Sequence, residues 1–161
     1  MSLFYEKMSS PLGALYIVCS HREVKAIIFS SSWPEYYKQN KNVLLAKHTS
    51  LTQKVIRQLE QYFAKKRTEF DLPLAPEGTD FQKKVWSVLE SIPHGETLSY
   101  QEQAAKAGRR QAVRAVGAAN GRNPIPIVIP CHRVIGKNGK LTGYAGGLSI
   151  KEKLLKLEQI L

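Results

Sequence analysis

The residues best suited to chemistry lie in "IPIVIPCHRVIGKNGKLTGYAGG", residues 125–147. An apolar run ends on Cys131, and His132 and Arg133 follow directly. Only the thiolate of a cysteine is a good nucleophile, and a nearby cation or a proton-accepting histidine can produce it. Neighbouring side chains of a strand point to opposite faces, so His132 reaches the sulfur only if the chain bends. Pro130 and "GKNGK" favour a bend, and a bridging water is an equal candidate. We predict a nucleophilic Cys131 with His132 as its base.

A third member of this group can come from the last segment, "LSIKEKLLKLEQIL" (148–161). Its pattern predicts a helix with Ser149 and Glu152 as a capping box. The predicted apolar stripe consists of Ile150, Leu154, Leu157 and Leu161. Glu158 lies on the flank of that stripe, either at the water line or paired inside. A paired Glu158 would hold the His132 imidazole in one tautomer, as in other nucleophile–histidine–carboxylate sites.

Two reaction classes fit such a cysteine. In a hydrolase, water releases an acyl-enzyme and the protein turns over. In a transferase, the sulfur attacks a saturated carbon and keeps it, because a thioether has no easy leaving step. The residues alone leave this choice open.

A helix pair precedes the cysteine. "LSYQEQAAKAG" (98–108) predicts a helix with Ser99 and Glu102 as a capping box and Gly108 as its end. "RRQAVRAVGAANG" (109–121) predicts a second helix of small residues, and the two together look like a helix-turn-helix. An ordinary packed hairpin is the alternative. DNA binding is favoured by four arginines in this stretch: Arg109, Arg110, Arg114 and Arg122.

Composition and charge agree with such a partner. The 161 residues carry a net charge of +11, of which +4 falls in residues 1–78 and +7 in residues 79–161. A basic half suggests a polyanionic partner. The shift at "APEGTD" predicts two domains, residues 1–76 and 79–161. No segment is long and apolar enough for a membrane span, and no signal peptide is recognisable, so we expect no membrane association and a cytoplasmic protein.

The first half predicts a small strand–helix domain and no catalytic group. "LFYEKMSS", "ALYIVCS" and "VKAIIFS" are typical of short strands, and residues 50–66 of a helix that Ser50 and Gln53 cap. Residues 31–49 have no clear period. Cys19 ends a strand-like run and is expected to be a buried hydrophobe. With the helical second half, the fold class is α+β or α/β.

The segment "PCHRV" (130–134) and several segments around it resemble those of a known protein family. "SYQEQAAKAG", "RAVGAANGRNPIPIVIPCHRVIG", "GYAGGL" and "KEKLLKLE" follow the order of the O6-alkylguanine-DNA alkyltransferases and cover nearly all of residues 80–158. The chain resembles this family. The resemblance implies a ribonuclease-H-like first domain, no cofactor and no metal. It also implies DNA repair by irreversible, stoichiometric transfer of an alkyl group from O6-alkylguanine in double-stranded DNA to Cys131, with O4-alkylthymine as a minor substrate.

The resemblance also implies residue roles. His132 deprotonates Cys131 through a water, and Glu158 orients His132. Asn123 holds the turn between the recognition helix and the active-site strand, and the Tyr100 phenol donates to the departing guanine. The implied DNA-binding residues are Arg114, which fills the space of the flipped nucleotide, with Ala112, Ala115, Gly117, Asn120 and Arg122. The implied pocket residues are Pro126, Val134, Tyr144, Ala145 and Gly146.

The expected protein is a monomer that can cluster cooperatively along DNA. The alternative is a non-catalytic, damage-sensing DNA-binding module that uses the same helix pair. Cys131 distinguishes the two, since it has a purpose only in transfer.

Overall fold

The computed structural model describes residues 2–161, which form two compact units. The first unit ends at Pro76 and the second covers Glu77–Leu161. A small mixed sheet with helices occupies the first unit, and helices dominate the second. The predicted α+β fold is confirmed.

The first unit is built on a four-stranded sheet. Strands β1 (Leu3–Met8), β2 (Leu15–Cys19) and β3 (Val24–Phe29) form an antiparallel meander. After helix α1 (Trp33–Asn40), strand β4 (Leu44–Ala46) adds in parallel to β1, giving the order β3-β2-β1-β4. Helix α2 (Ser50–Phe63) contacts β1 and β2. Residues that alternate along the strands bury one face of this sheet against α2.

Two features of this unit differ from the sequence predictions. Residues 31–49 contain α1 and β4, although their pattern showed no period, because both elements are short and α1 buries none of its residues completely. The N-cap of α2 is Thr49, not Ser50. The Thr49 hydroxyl accepts from the Thr52 backbone N–H, and the Thr52 side chain returns the bond, so Gln53 has no part in the cap.

In the second unit, three helices form the frame of the predicted helix pair. Helix α3 (Asp80–Glu90) is capped by Thr79 and Gln82. Helix α4 (Tyr100–Lys106) begins with the capping box that was predicted, Ser99 and Glu102. Gly108, with φ of 72°, turns the chain towards helix α5 (Val113–Gly121). The predicted second helix therefore starts four residues late, and Ala112 is its N-cap residue rather than part of the recognition helix.

Buried polar contacts fix α5 against α3 and α4. The Trp86 indole Nε1 on α3 donates to the Ala119 carbonyl at 2.8 Å. The amides of Gln103 on α4 and Asn120 on α5 exchange two hydrogen bonds of 2.7 Å each. These three buried side chains are therefore satisfied, and their bonds tie α5 to both neighbouring helices.

The last helix, α6 (Leu148–Leu157), buries a different face from the predicted one. Gly147 is its N-cap residue, with φ of 97°, and no side chain caps it, so the predicted Ser149–Glu152 box is wrong. The buried positions are Lys151, Leu154, Leu155 and the C-cap residue Glu158. They follow the spacing i, i+3, i+4, i+7 of one helix face. Leu161, placed in the stripe, is 57% exposed.

Candidate active site

The segment that leads to Cys131 is an irregular turn, not the expected strand. Its prolines lack the N–H that a strand ladder needs. The Asn123 side chain replaces the ladder, since its Nδ2 donates to the Ile129 carbonyl at 2.7 Å and its Oδ1 accepts from the Ile125 N–H at 3.0 Å. Ile127, fully buried, has a φ of 75°, which is strained for a β-branched residue. Asn123 thus holds a turn that the backbone alone would not favour.

The chain bends again at the cysteine itself. Cys131–Arg133 form one turn of 3₁₀-helix, followed by the two-residue strand β6 (Val134–Ile135), which pairs in parallel with β5 (Leu98–Ser99). The bend that Pro130 was predicted to favour is therefore present. It turns His132 into the protein interior, where its side chain is fully buried.

The two residues after Cys131 belong to a buried hydrogen-bonded group of one imidazole, one guanidinium and one carboxylate. His132 Nε2 lies 2.7 Å from Glu158 Oε2. Arg133 donates to both oxygens of the same carboxylate, from Nε at 2.8 Å and from Nη2 at 3.1 Å, and its Nη1 donates to the Ile92 carbonyl at 2.7 Å. The Gly95 N–H adds a weaker bond at 3.3 Å. A carboxylate is acceptor-only, so it fixes the proton of His132 on Nε2.

The other imidazole nitrogen is then the basic one. His132 Nδ1 is buried and has no hydrogen-bond partner among residues 2–161. With Nε2 protonated, Nδ1 carries the lone pair that can take a proton. This is the atom that would accept the proton of Cys131, directly or through a water.

Burial sets the resting protonation states of this pair. It raises the pKa of the Cys131 thiol, against the opposing hydrogen bond of Asn123 and the charge of Lys151. It also lowers the pKa of His132, against the hydrogen bond and charge of Glu158. The resting pair near neutral pH is therefore a thiol and a neutral imidazole. The proton of Cys131 therefore passes to His132 only during the reaction.

Cys131 opens on a cavity of about 390 Å³. The cavity is within the range of small-molecule and base pockets. Its wall is formed by α4, α5 and the segment after β6. The lining residues are Tyr100, Gly117, Asn120, Gly121, Cys131, Thr142, Gly143, Tyr144 and Ala145.

Of the five predicted pocket residues, Tyr144 and Ala145 line this cavity. Pro126 and Val134 are buried outside its lining. The Val134 N–H bonds to the Cys131 carbonyl and closes the 3₁₀ turn, so it is not free to bind a base. Gly146 follows the lining residues without joining them. The sequence missed Gly121, Thr142 and Gly143, which have no distinguishing local pattern.

Two residues predicted to face DNA belong elsewhere. Asn120 is buried, and its side-chain amide is hydrogen bonded to Gln103. It lies at the cavity wall and not on the outer surface of α5. Gly117 also lines the cavity. The outer face of α5 instead presents exposed Arg114 and Ala115, with exposed Arg122 directly after the helix.

Lys151 was not predicted to be part of the site. Its side chain is buried, and its ammonium Nζ donates to the Val134 carbonyl at 2.7 Å and to the Thr142 carbonyl at 2.8 Å. Burial lowers the pKa of Lys151 to about 8, with the Cys131 sulfur acting in the opposite direction. The only signal in the sequence was the position of Lys151, seven residues before Glu158 on one helix face.

Known proteins share both units. Residues 80–160 match the profile of the 6-O-methylguanine DNA methyltransferase DNA binding domain, and residues 3–76 match its ribonuclease-like domain. The chain belongs to this family. A methylated-DNA–protein-cysteine methyltransferase of Methanosarcina barkeri is 47% identical, over 98% of both chains. The constitutive enzyme of that name from Bacillus subtilis is 45% identical, over 98% of this chain and 96% of its own.

Solved structures agree with the sequence matches. The Mycobacterium tuberculosis OGT, crystallised in complex with DNA, superposes with a TM-score of 0.88 and 41% identity, over 98% of this chain and 93% of its own. The predicted family and activity are thereby confirmed. The chain is a methylated-DNA–protein-cysteine methyltransferase that repairs DNA by direct alkyl transfer. No helix in residues 2–161 is long and apolar enough to cross a membrane.

Proposed function

We propose that Cys131 is the permanent alkyl acceptor and that its substrate is O6-alkylguanine flipped out of double-stranded DNA into the 390 Å³ cavity. The observation that carries this proposal is the position of Cys131 at the cavity wall, with His132 next to it in the chain and hydrogen bonded to Glu158. A thiol, a base with a fixed tautomer and a pocket are the parts that single transfer needs. O4-alkylthymine is a minor substrate in this proposal.

In the reaction, His132 Nδ1 takes the thiol proton, directly or through a water. The sulfur then attacks the alkyl carbon, so that the S–C bond forms as the C–O6 bond breaks and its electron pair passes to guanine. The Tyr100 phenol, at the cavity wall, supplies a proton to the base, which departs neutral. Solvent later removes the extra proton from the His132 imidazolium and returns a proton to the Tyr100 phenolate. Asn123 positions Cys131 by holding the turn before it.

The outer face of α5 is the proposed DNA contact. Arg114, Ala115 and Ala118 lie on an exposed face, and small residues there allow the helix to approach a groove closely. Arg114 fills the gap that the extruded nucleotide leaves, which offsets part of the few kcal/mol that flipping costs. Arg122 and the net charge of +7 in residues 79–161 attract the phosphates. Base contacts inside the cavity fall to the backbone of Tyr144 and Ala145, with Gly146 next to them.

The proposed unit of function is a monomer in the cytoplasm, able to cluster along DNA. Residues 79–161 act as the DNA-binding and alkyl-acceptor domain, and residues 1–76 as a scaffold. The scaffold role is supported by its chemistry, since the one cysteine of that half, Cys19, is fully buried and burial raises its pKa to about 12.

The test is a mass spectrum of the tryptic peptide 123–133 after incubation with excess duplex DNA that contains O6-methylguanine. We expect a gain of one methylene on Cys131 and one guanine restored per protein. Cys19→Ala is the matched control and should transfer normally. Cys131→Ser should bind the DNA without repairing it. Tight binding by the wild-type protein with an unmodified peptide would refute the proposal and favour a damage-sensing module, whereas many turnovers per protein would indicate a hydrolase.

A further inference from the structure

The phenol of Tyr100 is bound by one residue on both sides of its oxygen. Its O–H donates to the Thr142 carbonyl at 3.3 Å, and the Thr142 hydroxyl Oγ1 donates to the phenol oxygen at 3.2 Å. Both residues line the cavity. These distances are long for hydroxyl donors, so both bonds are weak. Catalytic hydrogen bonds in free enzymes commonly tighten once substrate is bound, and we expect this of the bond from the Thr142 hydroxyl.

The backbone of Thr142 is itself anchored. Its carbonyl also accepts from Lys151 Nζ at 2.8 Å, and the same ammonium donates to the Val134 carbonyl at 2.7 Å. Val134 pairs with Leu98 in the short β5–β6 ladder, directly before Tyr100 begins α4. These bonds hold the backbone of Thr142 in place relative to the phenol. The Thr142 hydroxyl takes no part in them and is available to donate to Tyr100.

We propose that Thr142 is a positioning residue for alkyl transfer and acts through Tyr100. This inference rests on the proposed function, in which the Tyr100 phenol protonates the departing base. When a guanine enters the cavity, the phenol proton leaves the Thr142 carbonyl for the base. That carbonyl keeps its hydrogen bond from Lys151, so the switch leaves no acceptor unpaired.

The Thr142 hydroxyl, unlike the carbonyl, keeps its bond to the phenol during the reaction. It continues to donate to the phenol oxygen while the S–C bond forms, the C–O6 bond breaks and the phenol proton moves to the base. Negative charge grows on the phenol oxygen at that moment, and a donor aimed at growing charge stabilises the transition state more than the ground state. Thr142 thus assists the proton transfer from Tyr100 at the moment at which it occurs.

A merely structural role predicts different behaviour. Thr142 is exposed on the cavity rim, so its hydroxyl has water as an alternative partner and contributes little to stability. A loss of rate without a loss of stability or DNA affinity therefore distinguishes positioning from packing.

The experiment compares Thr142→Val, which keeps the shape and removes the donor, with Thr142→Ser, which keeps the donor. Single-turnover transfer from O6-methylguanine duplex is measured at increasing DNA concentration with the full chain. Thr142→Val should lower the maximal rate roughly tenfold, the effect of losing one hydrogen bond to a charged oxygen. The half-saturating DNA concentration should stay unchanged, and Thr142→Ser should remain within about twofold of wild type.

A double-mutant cycle with Tyr100→Phe then tests the route. If Thr142 acts through the phenol, Thr142→Val has no further effect once the phenol oxygen is gone. The proposal is overturned by a Thr142→Val protein that transfers at the wild-type rate, by equal losses in the valine and serine variants, by an undiminished loss in the Tyr100→Phe background, or by a Tyr100→Phe protein that is as fast as wild type. A wild-type protein that transfers nothing would refute the proposed function itself.

Discussion

The replacement Glu158→Gln tests how much the buried carboxylate contributes to folding stability and to the rate of alkyl transfer. Glu158 is 3% exposed and is the counterion of Arg133, which binds both of its oxygens. A glutamine of the same shape leaves the buried guanidinium without a counterion. Breaking a buried ion pair in this way costs about 3–5 kcal/mol. That is a large part of the roughly 5–15 kcal/mol by which domains are stable.

The same change should slow transfer for a separate reason. The glutamine amide can present its NH₂ group to His132 Nε2, which then becomes the acceptor and moves the imidazole proton to Nδ1. Nδ1 is the atom that must take the Cys131 proton, so a large share of molecules would lack a usable base. Loss of a general base lowers rates by about 10²–10⁴. We expect the single-turnover rate of Glu158→Gln to fall by that order.

The double variant Arg133→Met with Glu158→Gln separates the two effects. It removes the buried cation as well, so most of the stability should return, because uncharged replacements of a buried pair are often tolerated. The His132 tautomer is still not fixed by a carboxylate, so the single-turnover transfer rate should stay low. Urea unfolding and single-turnover transfer measure the two quantities. A double variant that is stable and as fast as wild type, or a Glu158→Gln protein with unchanged stability, would refute this reasoning.

Three further changes are predicted. Gln103→Leu should cost about 1–3 kcal/mol in thermal unfolding, since it leaves the buried Asn120 amide unpaired, and adding Asn120→Leu should recover much of it. Burial raises the pKa of Cys19 from 9.0 to about 12, so above pH 9 the unfolded chain loses a proton that the folded chain keeps, and stability falls by about 1.4 kcal/mol per pH unit. Cys19→Ala should remove that component of the decline, measured by urea unfolding at pH 9 and 10.5. Arg114→Ala should slow transfer from duplex about tenfold or more but spare transfer from single strands, where no base is flipped.

Local signals made several elements predictable. The capping box of Ser99 and Glu102 lies within four residues, and its chemistry does not depend on the rest of the fold. Near Thr49 the same reasoning was wrong by one residue, because Thr49 and Ser50 are both good caps and Thr52 and Gln53 are both able partners. Tertiary contacts decided there, since the Thr52 hydroxyl also donates to Glu6 at 2.8 Å, 46 residues away.

The cavity was less predictable than the nucleophile. Cys131 and His132 are conspicuous by type, whereas Thr142 reaches the wall only because the segment after β6 folds back against Tyr100 of α4. Asn120 is likewise placed by a contact that the sequence did not show. The resemblance implied that Asn120 binds DNA, but its side-chain amide is paired with Gln103 on the other helix of the pair, and sequence alone did not show that the two amides match.

Helix α6 shows why a stripe of apolar residues can mislead. A lysine is almost never fully buried without partners, and the predicted stripe consisted of apolar residues alone. In the structure Lys151 and Glu158 lie on the buried face with Leu154 and Leu155 between them. Seven residues of helix separate the two charges by about 10.5 Å along the axis, too far for them to pair with each other.

Each charge is instead satisfied by a different part of the segment that contains the nucleophile. Lys151 binds the carbonyls of Val134 and Thr142, and Glu158 binds His132 and Arg133. One rigid helix therefore fixes the base of Cys131 at one end and the residue that holds Tyr100 at the other. Burying two unlike charges on one helix face is costly, and the hydrogen bonds and the ion pair that offset this cost are the same contacts that position the residues of the reaction.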